Sequence, residues 1–196
     1  MKILPISVPH EIARHYHRDA RDFAGRFDTL WEDQLHKTGR IKSFVDLVMG
    51  CECAMKCHVF LGRLDRDPIE TYGQIRGAGH DIVRLSGLAE FMPDREIYDS
   101  VANELGRFSV FIRYSLDAYS VFFPTLVDLA DAPIHYSKTI GNNAWVLHMR
   151  QQLEVLIEVA SPEFTGQVDG DIGAILDHER QMEAFMRQVS PRGAIR

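Results

Sequence analysis

From Met49 to Leu61 the chain is almost wholly apolar or small, and its only full charges are Glu52 and Lys56, four residues apart. At 100° per residue Phe44, Val48, Cys51, Met55 and Val59 fall on one apolar stripe, which Leu47, Ala54 and Leu61 widen, while Glu52, Lys56 and Arg63 share a narrow polar strip. This pattern predicts a helix over about 41–64, buried on most sides and carrying one polar seam. Ahead of it, Ile12, Tyr16, Ala20, Phe23, Phe27 and Leu30 recur at helical spacing behind Pro9, a residue well tolerated in a first turn, so a helix is expected over 9–36. Gly25 is a place for that helix to bend or break, and Gly39 is expected to act as a stop.

Beyond the central helix, Asp65-Arg66-Asp67-Pro68 predicts a turn and a short helix over 69–76, interrupted by Gly77-Ala78-Gly79. His80-Asp81 then opens a helix with Ile82, Val83, Leu85 and Leu88 on its buried face. Pro93-Asp94 starts what the stripe Ile97, Val101, Leu105, Phe108 and Ile112 predicts as one long helix to about 116. On its other side Ala102, Gly106 and Ser109 form a strip of small residues leading to Arg113, which would deliver Arg113 into a close helix–helix contact. A short helix is expected over 119–131 around Pro124, a connector over 133–143, a helix over 144–160 capped by Asn142 or Asn143, and a last amphipathic helix capped by Asp171. Strand alternation is nearly absent. The whole reads as one all-α domain of about seven helices joined by short loops.

Composition bounds the role more than the fold. The apolar share of 45% and charged share of 26% are those of an ordinary globular protein. No segment approaches the roughly 20 uninterrupted apolar residues of a membrane helix, and the apolar run at the N-terminus is too short for a secretory signal, so no membrane is expected and the cytoplasm is the expected location. Three cysteines within positions 51–57 of one helix form no disulfide framework and fit a reducing compartment. A net charge of −6 and the lack of a dense Lys/Arg run argue against a general nucleic-acid binder but leave room for a small RNA or nucleotide site.

Three segments taken in order, Cys51-Glu52-Cys53-Ala54-Met55-Lys56-Cys57, Gly79-His80-Asp81-Ile82-Val83-Arg84-Leu85 and Glu104 to Tyr114 ending in Arg113-Tyr114, resemble the HEPN domain over about residues 41–120. The resemblance implies an up-and-down bundle of four to five helices, here with extra helices over 9–36 and 121–190. Many members of that family are metal-independent endoribonucleases of toxin or defence type, acting as homodimers. Others are non-catalytic modules that bind nucleotides, pair with antitoxins or serve as scaffolds. The family's nuclease signature is Arg, four to six residues, then His; here Tyr119 stands where the histidine would, and Arg76 precedes His80 by too few residues. The resemblance therefore implies two functions: a protein acting on RNA or a nucleotide, cleaving it without cofactor or metal, or a binding and assembly module with an RNA, nucleotide or protein partner.

If the chain cleaves RNA, His80 is the candidate base and Arg113 the candidate phosphate clamp, a planar fork suited to phosphate. Glu52, Lys56, Asp81, Arg76, Tyr114 and Tyr119 complete the candidate substrate-binding or structural seam. The structural alternative has Glu52 paired with Lys56 or Arg113 and Asp81 capping a helix, because an isolated buried charge is costly. Cys51, Cys53, Cys57 and His58 cannot converge on one ion from a single helix, so they read as buried structural residues rather than a metal site. In His10-Glu11-Ile12-Ala13-Arg14-His15-Tyr16-His17 the histidine after His10 and Glu11 comes one place too late for a helical zinc pair, and a solvated helix face is expected. Gly77-Ala78-Gly79 reads as a flexible turn more readily than as a phosphate loop.

Overall fold

A computed structural model describes residues 3–4, 7–33, 36–122, 134–168 and 170–190. Among these the chain is all-α, with eight helices: α1 (Val8–Asp33), α2 (Lys37–Leu61), α3 (Pro68–Ala78), α4 (Ile82–Leu88), α5 (Glu96–Leu105), α6 (Ser115–Phe122), α7 (Asn143–Ala160) and α8 (Ile172–Val189). Short 3₁₀ turns lie at Val110–Arg113, Tyr136–Lys138 and Ser161–Phe164. Two two-residue strands, β1 (Ile3–Leu4) and β2 (Gln167–Val168), pair in parallel. None of the described helices is long and apolar enough to cross a membrane.

The central helix lies where its pattern requires, and its surroundings explain why its polar positions are confined to a narrow strip. Every member of the expected stripe is buried, and so are Leu47, Gly50, Glu52, Cys53, Ala54, Cys57, His58 and Phe60 on its other sides. α1 runs antiparallel along α2: Arg26 pairs with Asp46, Ala20 meets Gly50, and Tyr16 stacks on Phe60. α7 covers a further side. A Cβ on Gly50 would stand 2.7 Å from Leu153 Cδ2, so glycine is what lets α1, α2 and α7 approach this closely.

Several boundaries differ from expectation for identifiable reasons. Gly39 is no stop: α2 starts at Lys37 and passes through it, and α1 continues through Gly25. α3 runs on through Gly77 to Ala78 and ends at Gly79, whose φ of 62° no other described residue type adopts here. The expected long helix to about 116 is broken. α5 ends at Leu105; Gly106 and Phe108 turn back onto the Ala102 and Leu105 carbonyls, and the Ser109 hydroxyl accepts the Phe111 N–H to start a 3₁₀ turn. Val101, Leu105, Phe108 and Ile112 stay buried nonetheless, so a turn followed by a 3₁₀ helix keeps the spacing that imitated one helix. Ala102, Gly106 and Ser109 form no continuous strip. Gly106 permits a different approach, since its Cβ would meet Val83 of α4 at 2.5 Å. Val83, expected in the core, is 54% exposed. The helix expected over 119–131 is described only to Phe122, and the rest of that stretch lies outside the described residues. Asn142, Asp81 and Asp171 cap α7, α4 and α8 as their residue types require.

The core contains one closed polar network. His58 Nε2 lies 2.8 Å from the Leu156 carbonyl, which can only accept, so this nitrogen carries the proton. His58 Nδ1 then accepts the Tyr98 hydroxyl at 2.6 Å, and the Tyr98 oxygen accepts the Met92 N–H at 3.2 Å. α2, α5, α7 and the segment after α4 are thus tied at one point. Burial lowers the His58 pKa to about 4 and, less far, that of His17, and it raises the Tyr98 phenol to about 12. Unfolding returns His58 to its ordinary value near 6.5, so the unfolded chain binds the extra proton between those values. Stability is full above pH 6.5 and falls toward pH 4. Urea titrations should show a loss of about 2 kcal/mol from His58 between pH 7 and pH 5. His58→Gln, less stable throughout, should lose that part of the slope; an unchanged slope would refute a neutral buried His58.

Candidate functional site

The polar seam of α2 resolves into one carboxylate with a lysine and a histidine as partners. Glu52 is 1% exposed, on the side of α2 that α3 and α4 approach. Lys56, one turn on, pairs with Glu52 Oε1 and is itself largely covered. The second partner comes from the connector between α3 and α4. Gly79 turns the chain with positive φ, and the next residue, His80, places Nδ1 at 2.9 and 3.1 Å from the two Glu52 oxygens. A carboxylate accepts, so Nδ1 donates and Nε2 faces outward; the His80 side chain is 56% exposed. Among the described residues Nε2 makes no hydrogen bond.

The surroundings make this seam tight on the inside and open on the outside. Lys56 Nζ stands 5.8 Å from the Tyr16 ring, and burial, then the neighbouring Tyr72, pushes the Tyr16 phenol well above its ordinary range. Tyr72 packs edge-on to Phe185 of α8, and exposed Arg76 lies 6.0 Å over the Tyr72 ring. Asp81 is committed to α4: its Oδ1 accepts the Arg84 N–H at 3.1 Å. A histidine oriented by a buried carboxylate has the geometry of a general base. His80, Glu52 and Lys56 are therefore brought together, with Asp81 beside them and Arg76 on the neighbouring helix.

Arg113 is not part of this cluster. It sits on the 3₁₀ turn, stacked 4.9 Å over Tyr114 with its Nη2 3.1 Å from that hydroxyl. It lines a cavity of about 660 Å³ with Tyr114, Phe23, Arg26, Leu30, Lys42, Asp46 and Met49 among its walls. The α2 residues of its lining, Lys42 to Met49, all precede Glu52, so the cavity lies toward the start of α2 and the Glu52 seam further along it, where none of its members lines the cavity. The proposed His80–Arg113 pair is not assembled within one chain, because the turn at 106–109 replaces the helix that would have delivered Arg113. Tyr119, on α6, is 63% exposed and lines neither.

Arg26, Lys42 and Asp46 did not stand out in the sequence, and Phe23 was read only as part of an apolar stripe. Their meeting depends on the antiparallel register of α1 and α2. Burial holds the Asp46 carboxyl above its usual range, against the pull of Arg26 3.1 Å away. The cysteines take no part in either place. Burial raises Cys51 and Cys53 to about 12 and Cys57 further, so all three stay thiols. Among the described residues no group of His, Cys, Asp and Glu has the arrangement of a metal site. Compared with protein families, with characterised proteins and with solved structures, the chain matches none.

Two stability tests follow from the seam. Glu52→Gln leaves Lys56 and His80 without their carboxylate and should cost about 3 kcal/mol in urea unfolding; a change within about 0.5 kcal/mol would mean that the pair is not structural. Gly79→Ala forces a side chain into positive φ and should cost about 1–2 kcal/mol, with His80 displaced from Glu52. An alanine variant of wild-type stability would remove the turn from the account.

Proposed function

We propose that the chain is a HEPN-like helical module that binds a nucleotide, or a nucleotide unit of RNA, in the cavity around Arg113 and does not cleave it. The observation that carries this reading is the separation of the two candidate groups: Arg113 opens on a cationic cavity near the start of α2, while His80 is tied to Glu52 further along the helix and is not part of that lining. A ribonuclease needs base and charge stabiliser about 3 Å from the same reacting group, and here the two belong to separate clusters of side chains.

The cavity has the chemistry of a phosphate-bearing ligand with a flat body. Lys42 and Arg113 have no carboxylate partner among the described residues, and only Asp46 opposes the three cations of the lining. Arg113 and Arg26 are held on the Tyr114 and Phe23 rings at 4.9 and 5.4 Å, which orders the guanidinium groups before a ligand arrives. Val45, Leu30 and Met49 supply apolar wall, and the volume falls in the range of small-ligand sites. Buried Asp46 offers an acceptor to a ribose hydroxyl or an exocyclic amine.

Purified protein incubated with total RNA in EDTA should leave the RNA intact, while a fluorescent nucleoside monophosphate binds and Arg113→Ala weakens that binding about tenfold or more. RNA cleavage that disappears in His80→Ala or Arg113→Ala would overturn the reading in favour of the nuclease. Absence of nucleotide binding would overturn it outright.

A further inference from the structure

A second basic cavity lies at the other end of α1, away from Arg113 and from the Glu52 seam. Arg14, Arg18 and Arg21 fall within about 60° of one another around the helix, so three guanidinium groups share one face over two turns. They line a cavity of about 500 Å³ with His17, Asp22, Ser161, Phe164 and Thr165. In a chain of net charge −6, three arginines against one aspartate is a local reversal of sign.

Its far wall is fixed in place. His10 and His17, expected on a solvated face, are instead buried at 5% and 7% exposure, one helical repeat apart. Their rings clasp Phe164 at centroid distances of 5.2 and 4.8 Å, His10 Nε2 reaches the Glu163 carbonyl at 3.0 Å, and His17 Nε2 reaches the Ile157 carbonyl and the Ser161 hydroxyl at 3.2 Å each. These contacts hold the segment after α7 against α1 and set the width of the cavity.

The arginines are not used up by the fold. Among the described residues Arg18 and Arg21 have no ion-pair partner. Arg14 shares one nitrogen with Glu11, and its Nε is shielded from solvent without an acceptor. Like charges four apart weaken a helix, so nothing in folding favours Arg14 beside Arg18. A buried donor without an acceptor is itself unfavourable. Both observations are accounted for by an anion that accepts from all three side chains.

We infer that the Arg14–Arg18–Arg21 cavity is a binding site for a polyphosphate group, supplied either as free pyrophosphate or as the phosphates of a nucleoside diphosphate. Planar guanidinium forks suit bidentate contacts to phosphate oxygens. The site is independent of the Arg113 cavity, and the two readings stand or fall separately.

The test is calorimetric titration of the full chain with sodium pyrophosphate and, in a separate arm, with ADP, each at constant ionic strength set by chloride. Pyrophosphate should still bind once Arg113→Ala has removed the other cavity, and the remaining comparisons are made in that background. Arg18→Gln and Arg21→Gln, both exposed and both changed to good helix formers, should each weaken it about tenfold. Circular dichroism should give the two variants the wild-type helix content. ADP binding no tighter than pyrophosphate, once Arg113→Ala has removed the other cavity, assigns the site to the free anion; tighter binding assigns it to the nucleotide. Pyrophosphate binding that survives the Arg18→Gln, Arg21→Gln double variant, or that Arg113→Ala abolishes, would overturn the inference. So would wild-type protein that gives no heat.

Discussion

Burying α2 on every side from Ser43 to Leu61 is the constraint on which the rest of the structure depends. Along this stretch a helix cannot leave a polar side chain to water, so each buried one must find a partner on the same helix or on a neighbouring element. Ser43 donates to the Gly39 carbonyl one turn back, Asp46 pairs with Arg26 of α1, Glu52 with Lys56 and His80, and His58 with Tyr98 and Leu156. Just past the helix, buried Arg63 reaches Gln74, the Leu88 carbonyl and Glu90. Asp46, Glu52 and His58 each mark where a neighbouring element docks. The apolar packing supplies the larger driving force, and the polar pairs fix which helix goes where.

This also separates strut from site. Glu52 and His58 are turned inward and satisfied, and their partners come from the connectors and helices that close over α2. Arg26 and Asp46 are only half inward. Their pair borders a cavity, and the cations beside it at Lys42 and Arg113 are left without carboxylates. His80 lies between the two cases, one nitrogen bound to the core and the other toward solvent. That arrangement has the form of a base, and Arg113 is not among the side chains around it.

Much of the fold was legible because burial writes itself into spacing. The continuous apolar character of 44–61 and the Asn142, Asp81 and Asp171 caps placed α2, α7, α4 and α8 closely. The break at 106–109 was hidden, since Phe108 and Ile112 keep the helical rhythm although the backbone between them is a turn. Glycine misled in both directions: Gly39 and Gly25 look like stops and are helix interior, while Gly106 looks like a packing surface and ends a helix. The Glu52–Lys56 pair could be read from its four-residue spacing, and His80 from its helix start. The cavity around Arg113 and the one around Arg18 could not, because they join residues whose proximity is set by helix register rather than by sequence. The His10–His17 segment was misjudged for the same reason: its partner, Phe164, is far along the chain.

The central claim is that the nucleotide-binding face is the one around Arg113 and that the Glu52–His80 link is structural. Nuclear magnetic resonance of the protein during titration with a nucleoside monophosphate reads both at once. The account predicts shifts at Arg26, Lys42, Arg113 and Tyr114 that saturate with the ligand, with the His80 imidazole resonances unmoved. Movement of His80 with the Arg113 side unchanged would contradict it.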